Sequence, residues 1–338
     1  MIKDTALVLT SISKPNEVMK AFAKGAALHD IDFIVIGDRS SPKEFELNGC
    51  SYFSMEKQLS LGFKFASRCP EKHYSRKNIG YLVAIQGGAK IIIESDDDNF
   101  PRKNFWLPRQ QMQTTYHIKD YNDWINVYSY FSKNKIWPRG LPLEVLNKQI
   151  PSLKSFEISE VLCPIQQGLA DENPDVDAIY RLTMPLPQSF RKGSLALGNN
   201  TWCPFNSQNT TFFKEAFPLL YLPSFCSFRM TDIWRSFIAQ RIGWQNNWNV
   251  LFHSATVWQQ RNEHNLLKDF EEEIPGYLLN SKIAICLNNL KLKKGRKHIS
   301  ENMMACYTAL AQADIIPFKE LDLLQCWLDD LKKLEAKR

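Results

Sequence analysis

The segment Lys90-Ile-Ile-Ile-Glu94 runs directly into Ser95-Asp-Asp-Asp-Asn99. Three isoleucines in a row read as a buried strand. Three adjacent carboxylates at its end repel one another and raise each other's pKa unless something neutralises them. A divalent cation does so: Mg²⁺ and Mn²⁺ prefer hard oxygen ligands, take one or two carboxylates, and complete their shell with water and substrate phosphates. In open α/β sheets ligands sit beyond the carboxyl ends of strands, which is where this triplet falls. A solvated acidic loop capping the next helix is the plainer reading, and it stays open at this point.

The residues around this strand set the fold class. Thr5–Ile12 is a continuous apolar run, Glu17–Leu28 has helical spacing, and Phe33–Ile36 is a second buried strand ending in Gly37-Asp38. Ser51–Ser54 fits a short third strand, Met55–Ala66 a helix, and Asn78–Gly87 a helix leading into the acidic strand. Strand, crossover and strand repeated in this way predict an α/β fold, a mostly parallel Rossmann-type sheet flanked by helices. From about Phe105 to Gly276 the chain is less periodic. There Trp124–Phe131 fits a strand, and Thr231–Trp244 an amphipathic helix with Ile233, Trp234, Phe237, Ile238 and Ile242 on one side. The last sixty residues read as a helical extension, with Leu321, Leu324, Leu328, Leu331 and Leu334 on one face after Pro317.

Composition narrows the function classes. A chain of 338 residues, 44% apolar and 23% charged, is too apolar for disorder and long enough for about two domains. The eight cysteines form no C-x-x-C pair, which argues against zinc and redox motifs and suits free thiols in a reducing compartment. No apolar run reaches the ~18 residues of a membrane span, and the N-terminus has no signal-peptide pattern. The expected location is therefore cytoplasmic. A net charge of +6 suits a polyanionic substrate or an acidic membrane surface and falls short of a nucleic-acid binder.

Several polar residues converge on the same sheet edge. Ser11 and Ser13 follow the first strand, and Asp38, placed to accept hydrogen bonds from a ribose or base, follows the second. Arg76 and Lys77 precede the helix before the triplet, where they could meet a diphosphate. Neither G-x-G-x-x-G nor G-x-x-x-x-G-K-[ST] occurs, so kinase, P-loop and dinucleotide readings lose ground. A strand followed by D-x-D without a glycine loop is the arrangement of nucleotide-sugar transferases, whose metal neutralises the departing diphosphate.

Those residues carry a resemblance. Val35-Ile-Gly-Asp38, Asn78-Ile-Gly-Tyr-Leu82, Glu94–Asn99, Ile125-Asn-Val-Tyr128, Trp137-Pro-Arg-Gly-Leu-Pro142 and Ile165-Gln-Gln-Gly168 stand in order along the chain. Pro174–Arg181, Pro204–Asn209, Ser227–Arg235 and Arg261-Asn-Glu-His264 follow them. Together they resemble the STELLO-type glycosyltransferase family from about Ala6 to Tyr277. Plant reversibly glycosylated polypeptides, which act as UDP-arabinopyranose mutases, are more distantly similar. The resemblance implies a GT-A-like fold whose D-x-D motif binds a nucleotide sugar through Mn²⁺ or Mg²⁺. The chain lacks the N-terminal membrane anchor of the eukaryotic members, which fits a soluble bacterial enzyme.

Roles follow residue by residue. Asp98 is the expected direct metal ligand, Asp96 a metal or ribose partner, and Asp97 a donor-side residue whose side chain alternates toward the sheet. A C-terminal histidine completes the metal shell in many GT-A enzymes, a place His264 fits, although a surface loop histidine is equally available. Asp232 is the expected general base; the alternative is a first-turn aspartate behind a Thr231 N-cap. Ser11, Asp38 and Arg76 join the donor side. On the sugar or acceptor side stand Trp137 as a stacking platform, Arg139, Asp177 in preference to Asp175, Asn206, Gln208 and Arg229. Each has a plainer reading as core, ion pair or amide-rich turn.

The expected division is 1–130 for donor binding, 131–277 for acceptor binding and 278–338 for a helical extension. The function this implies is metal-dependent transfer from a nucleotide sugar, a UDP-sugar first, to a glycan or lipid-linked hydroxyl in surface polysaccharide or glycolipid assembly. A nucleotide-sugar mutase and a non-catalytic scaffold are the alternatives. Lys291–His298, a basic run, suggests peripheral docking on an anionic membrane face.

Overall fold

A computed structural model describes residues 3–262 and 265–336. The strands are β1 (Thr5–Thr10), β2 (Asp32–Ile36), β3 (Ser51–Phe53), β4 (Ile91–Ser95), β5 (Asn99–Pro101), β6 (Met112–Ile118) and β7 (Asp123–Trp124). They continue with β8 (Ile158–Leu162), β9 (Ile165–Asp171), β10 (Ser194–Leu197), β11 (Thr201–Trp202), β12 (Asn209–Phe213) and β13 (Val250–Gln259). The α-helices are α1 (Glu17–Leu28), α2 (Met55–Ser60), α3 (Lys64–Arg68), α4 (Lys77–Gln86), α5 (Tyr128–Phe131), α6 (Ala178–Thr183), α7 (Thr231–Trp244), α8 (Leu266–Asn288), α9 (Ile299–Gln312) and α10 (Lys319–Glu335).

Eleven of these strands form one sheet in the order β3-β2-β1-β4-β12-β9-β13-β10-β6-β8, with β5 paired to β13. The first four strands are parallel, as the alternation of strands and helices predicts. Antiparallel β12 then inserts between β4 and β9, so the sheet is mixed beyond β4. Expected and observed class agree: an α/β sheet flanked by helices, with a helical extension at its C-terminal end.

Packing explains the local choices. Leu7, Leu9, Phe33 and Val35 point to one face of the sheet and pack with Val18, Met19 and Phe22 of α1. Ala6, Val8, Ile34 and Ile36 point to the other and meet α4. The contact with α4 is made at Gly80, where an added Cβ would lie 2.5 Å from Val8 Cγ1 and 2.9 Å from Ile36 Cγ1. Asn16 starts α1 by accepting from the Met19 N–H at 2.9 Å, so the cap stands one residue after Pro15.

The structure differs from several local sequence expectations. Trp124–Phe131 is not a strand: Trp124 ends the two-residue β7, and Tyr128–Phe131 coils into α5. Met55–Ala66 splits at Gly62, whose φ of 70° breaks the run into α2 and α3. Helix α7 is not amphipathic in its setting, because all fourteen of its residues are buried. Thr231 is its first residue and caps nothing with its side chain. The divisions at 130/131 and 277/278 both fall inside helices, α5 and α8, and one sheet joins the first two parts.

The polar residues of α7 are buried with partners. Arg235 donates to both oxygens of Glu94, from Nη1 at 2.9 Å and Nη2 at 2.6 Å, and Tyr81 also donates to that carboxylate. This pair ties the central helix to β4, one residue before the acidic turn. The C-terminal extension docks in the same manner. Glu320 of α10 accepts from the Ser224 and Phe225 amides and from Tyr221, and Asp330 accepts from the Lys64 and Phe65 amides, capping α3. The last helix thus clasps both the N-terminal region and the segment leading into α7.

Arg235→Met would leave the fully buried Glu94 without its cation. It is expected to lower the unfolding free energy by about 3–5 kcal/mol in urea denaturation, and a loss below about 1 kcal/mol would contradict this role.

Candidate functional site

The carboxyl ends of β1, β2 and β4 open into a cavity of about 400 Å³. Ser11, Asp38 and Asp96–Asp98 line it from the sheet; Arg139, Asp175, Ser207, Gln208, Arg229, Asp232, Gln259 and Arg261 face them. The convergence at this edge is what the strand ends predicted.

Each aspartate of the triplet has a different neighbour. Asp96 Oδ1 meets the fully buried Lys77 Nζ at 3.0 Å, and that ammonium also donates to the Ser95 carbonyl at 2.8 Å. Burial outweighs Lys77 and, with Asp98 close by, pushes Asp96 up to about 7. Asp97 turns toward β1, accepting from Ser11 Oγ at 2.5 Å, while its carbonyl accepts from Asn16 Nδ2 at 2.7 Å. Burial raises its pKa as well. Both oxygens of Asp98 accept from Gln259 Nε2 at 3.0 Å.

This donor set fits a divalent cation. Half-buried Asp96 and buried Asp98 supply hard oxygens in an anionic turn, and the Gln259 Oε1 is buried without a hydrogen-bond partner among the described residues. No group of three or more His, Cys, Asp or Glu is arranged as a metal cage among the described residues. Two carboxylates with substrate phosphate and water completing the shell is the usual Mg²⁺ arrangement. His264, the expected further ligand, lies outside the described residues.

Opposite the triplet a second network surrounds one guanidinium. Arg139 donates to Asp175 from Nε and Nη2, both at 2.8 Å, and to Asp232 from Nη1 at 3.1 Å and Nη2 at 3.0 Å. Asp232 also accepts from the Ser207 amide at 3.0 Å. Arg139, reinforced by Arg235 and the Ser207 amide, overcomes burial and holds Asp232 down at about 2. Asp232, the expected general base, thus faces the cavity as an ion-paired, hydrogen-bonded carboxylate.

Packing gives the other expected residues distinct settings. Arg76 lines the cavity, but its guanidinium is buried, donating to Gln58 Oε1 at 2.9 and 2.6 Å and to the Cys69 carbonyl at 3.1 Å; Lys77 carries the cation to the triplet instead. Asp38 spends its oxygens on the Arg39, Lys72 and His73 amides, fixing the loop that brings His73 and Tyr74 to the cavity. Trp137 is 4% exposed, with its indole N–H on Asp177 at 2.8 Å, so it is core and not a platform. Asp177 caps α6 through the Tyr180 N–H, whereas Asp175, in the irregular segment before the helix, faces the cavity. Asn206 closes an amide turn, accepting from the Gln208 N–H at 2.9 Å, while Gln208 itself reaches the cavity. Arg229 lines the cavity with its guanidinium paired to Glu273 at 2.8 Å.

Sequence reasoning missed Ser207, Gln259 and Arg261, and ranked Asp175 second. Ser207 stood inside a quoted motif, and Arg261 opened another. Gln259, at the end of β13, carried no local signal.

Fold and site together define an α/β domain with an acidic ligand cavity at the carboxyl edge of its parallel strands. The chain is related to the STELLO glycosyltransferases: residues 229–337 match the family model described as STELLO glycosyltransferases. It is 28% identical over 345 residues to "Probable glycosyltransferase STELLO1" of Arabidopsis thaliana, covering 96% of this chain and 44% of that protein. Identity to "Probable glycosyltransferase STELLO2" of the same plant is 31% over 270 residues, 74% of this chain and 35% of that protein. The chain thus spans less than half the length of these relatives. Among solved structures, glucosyl-3-phosphoglycerate synthase of Mycobacterium tuberculosis, in complex with Mg²⁺ and uridine diphosphate, is a distant likeness. Its TM-score is 0.38 at 11% identity, covering 85% of this chain and 78% of that one. No helix among the described residues is long and apolar enough to cross a membrane.

The corrected role of Asp177 has a pH signature. An aspartate ordinarily ionises near 3.9, but burial, only partly offset by the Tyr180 and Trp137 N–H groups, pushes Asp177 up to about 6. Between these values the folded chain keeps a proton that the unfolded chain releases, so this group's contribution to stability falls as pH rises through that window. The stability gap between Asp177→Asn and the parent protein should shift in the variant's favour by roughly 2–3 kcal/mol from pH 4 to pH 7. Urea titrations giving the same gap at both pH values would contradict it.

Proposed function

We propose that the chain is a metal-dependent glycosyltransferase that moves a sugar from a nucleotide sugar, a UDP-sugar first, to a hydroxyl of a glycan or lipid-linked acceptor. The observation that carries this reading is the pair Asp96 and Asp98 at the end of β4, opening into one cavity with Gln259, whose Oε1 has no hydrogen-bond partner among the described residues. The relationship to the STELLO glycosyltransferases supports the same class.

Asp98 and Asp96 would hold Mn²⁺ or Mg²⁺, with His264 as a further ligand carried over from the resemblance. When bound, the cation supplies positive charge that offsets the negative charge developing on the departing diphosphate. Lys77 favours the ionised form of Asp96, which the cation requires, against the burial that disfavours it. Ser11 holds Asp97 turned toward β1, away from Asp96 and Asp98, which limits repulsion within the triplet. Across the cavity Arg139 fixes Asp175 and Asp232 in place, and their remaining lone pairs can accept hydrogen bonds from sugar or acceptor hydroxyls. Asp232, the candidate general base, is placed in this reading to accept from an acceptor hydroxyl, with Arg139 holding its carboxylate in the ionised form. Gln208 offers an uncharged amide to the same space.

An acceptor in surface polysaccharide or glycolipid assembly is the finer part of the proposal. Peripheral contact with an anionic membrane through Lys291–His298 belongs with it. Lys293 is paired to Glu301 at 2.5 Å and Arg296 lies 3.7 Å from Glu215, whereas Lys291, Lys294 and Lys297 have no ion pair among the described residues.

Transfer or hydrolysis from UDP-sugars should require Mn²⁺ or Mg²⁺ and fall about a hundredfold or more in Asp98→Asn, the scale of losing several kcal/mol of charge stabilisation. Activity untouched by EDTA and by that substitution would overturn the proposal. Interconversion of the donor sugar with no acceptor present, followed by NMR, would assign a mutase instead.

A further inference from the structure

His73, which lines the cavity, is held in one tautomer. It caps the short turn Tyr74–Arg76, its Nδ1 accepting the Ser75 N–H at 3.0 Å. The Ser75 hydroxyl, which accepts from Ser224 Oγ at 2.7 Å, lies 2.7 Å from the same nitrogen. A ring nitrogen that takes a backbone N–H carries no proton of its own, so the neutral imidazole keeps its proton on Nε2. Burial lowers the pKa of the ring, which favours this neutral form. Phe228 packs edge-on against the imidazole with ring centroids 5.7 Å apart and helps to fix its plane. The Nε2–H has no hydrogen-bond partner among the described residues.

Asp38 adds the complementary group. An ionised carboxylate has about four acceptor sites. Its Oδ1 takes the Arg39 and Lys72 amides, while among the described residues Oδ2 takes only the His73 amide, at 2.9 Å. One site on Oδ2 is left over. A fixed donor and a fixed acceptor, carried by residues whose backbone and side chain are already joined, therefore serve the same end of the cavity.

That end is where a nucleoside falls. With a diphosphate at Asp96 and Asp98, one side of the cavity is taken by Arg139, Asp175 and Asp232, and the other is formed by the ends of β1 and β2. β4, β1 and β2 are neighbours in the sheet, which sets the end of β2 two strand spacings, roughly 10 Å, from the triplet.

We infer that His73 and Asp38 select the nucleobase of the donor: Nε2–H donates to a base carbonyl and Asp38 Oδ2 accepts from the ring N–H beside it, the edge that uracil presents. Cytosine presents the reverse, an acceptor nitrogen beside an amino donor, and would leave both protein groups unpaired. The inference rests on the nucleotide-sugar reading above and deepens it by naming the base and the histidine that reads it.

Calorimetric titration of the full chain with UDP and with CDP, each in the presence of Mn²⁺, tests it. UDP is expected to bind at least about tenfold more tightly than CDP. His73→Asn removes the ring donor but keeps a side-chain acceptor for the Ser75 N–H, since asparagine is a good cap. In that variant, with an unchanged melting temperature, the preference should shrink to within about threefold. On the unaltered protein, UDP methylated at N3 should bind at least about tenfold more weakly than UDP. Equal affinity for UDP and CDP, a preference for CDP, an unchanged preference in His73→Asn, or indifference to the N3 methyl group would overturn the inference while leaving the nucleotide-sugar reading in place. Binding of neither nucleotide would overturn that reading and the inference together.

Discussion

The structure depends on how negative charge at the end of β4 is balanced. Glu94, Asp96, Asp97 and Asp98 lie within five residues, the first and last buried and the middle two half-buried at the cavity. Buried carboxylates of like sign are tolerated only with cations, hydrogen bonds or protons to offset them. Each is answered separately: Arg235 for Glu94, Lys77 for Asp96, the Ser11 hydroxyl for Asp97 and the Gln259 amide for Asp98. Only the first is a full bidentate ion pair. The imbalance therefore increases from the core toward the cavity, where the pKa of Asp96 is already near neutrality. The charge left over at the mouth is what a cation would complete.

The rest of the architecture holds these partners still. Helix α7 delivers Arg235 to β4 and Asp232 to the cavity from the same turn, so one buried helix serves both structure and site. The long β13 brings Gln259 across to Asp98, and α4 begins with the lysine that meets Asp96. The C-terminal extension, through Glu320, fixes the segment that leads into α7. An element remote in sequence thereby supports the cavity without lining it.

Legibility in the sequence followed the range of the interactions. β1, β2, β4, α1, α4 and α7 were readable because apolar runs and helical spacing are local signals, and the acidic triplet marked the ligand edge. Partner choice was not readable. Nothing near Arg76 and Lys77 says that the arginine turns inward to Gln58 while the lysine faces the triplet. Likewise nothing local says that Asp177 turns inward to cap α6 while Asp175 faces the cavity. Nor does anything near Asp232 say that Arg139, 93 positions away, donates to its carboxylate. Polarity of single residues is written in the sequence; the cross-chain pairing that tunes them is not.

The account turns on whether the end of β4 holds a cation against a nucleotide diphosphate. Anomalous diffraction from a crystal of the protein soaked with Mn²⁺ and UDP addresses this directly. The account predicts one strong peak at roughly 2.1–2.3 Å from an Asp98 carboxylate oxygen and from a diphosphate oxygen. A nucleotide seated in the cavity with no peak at Asp98, or a peak only at a site away from Asp96 and Asp98, would contradict it.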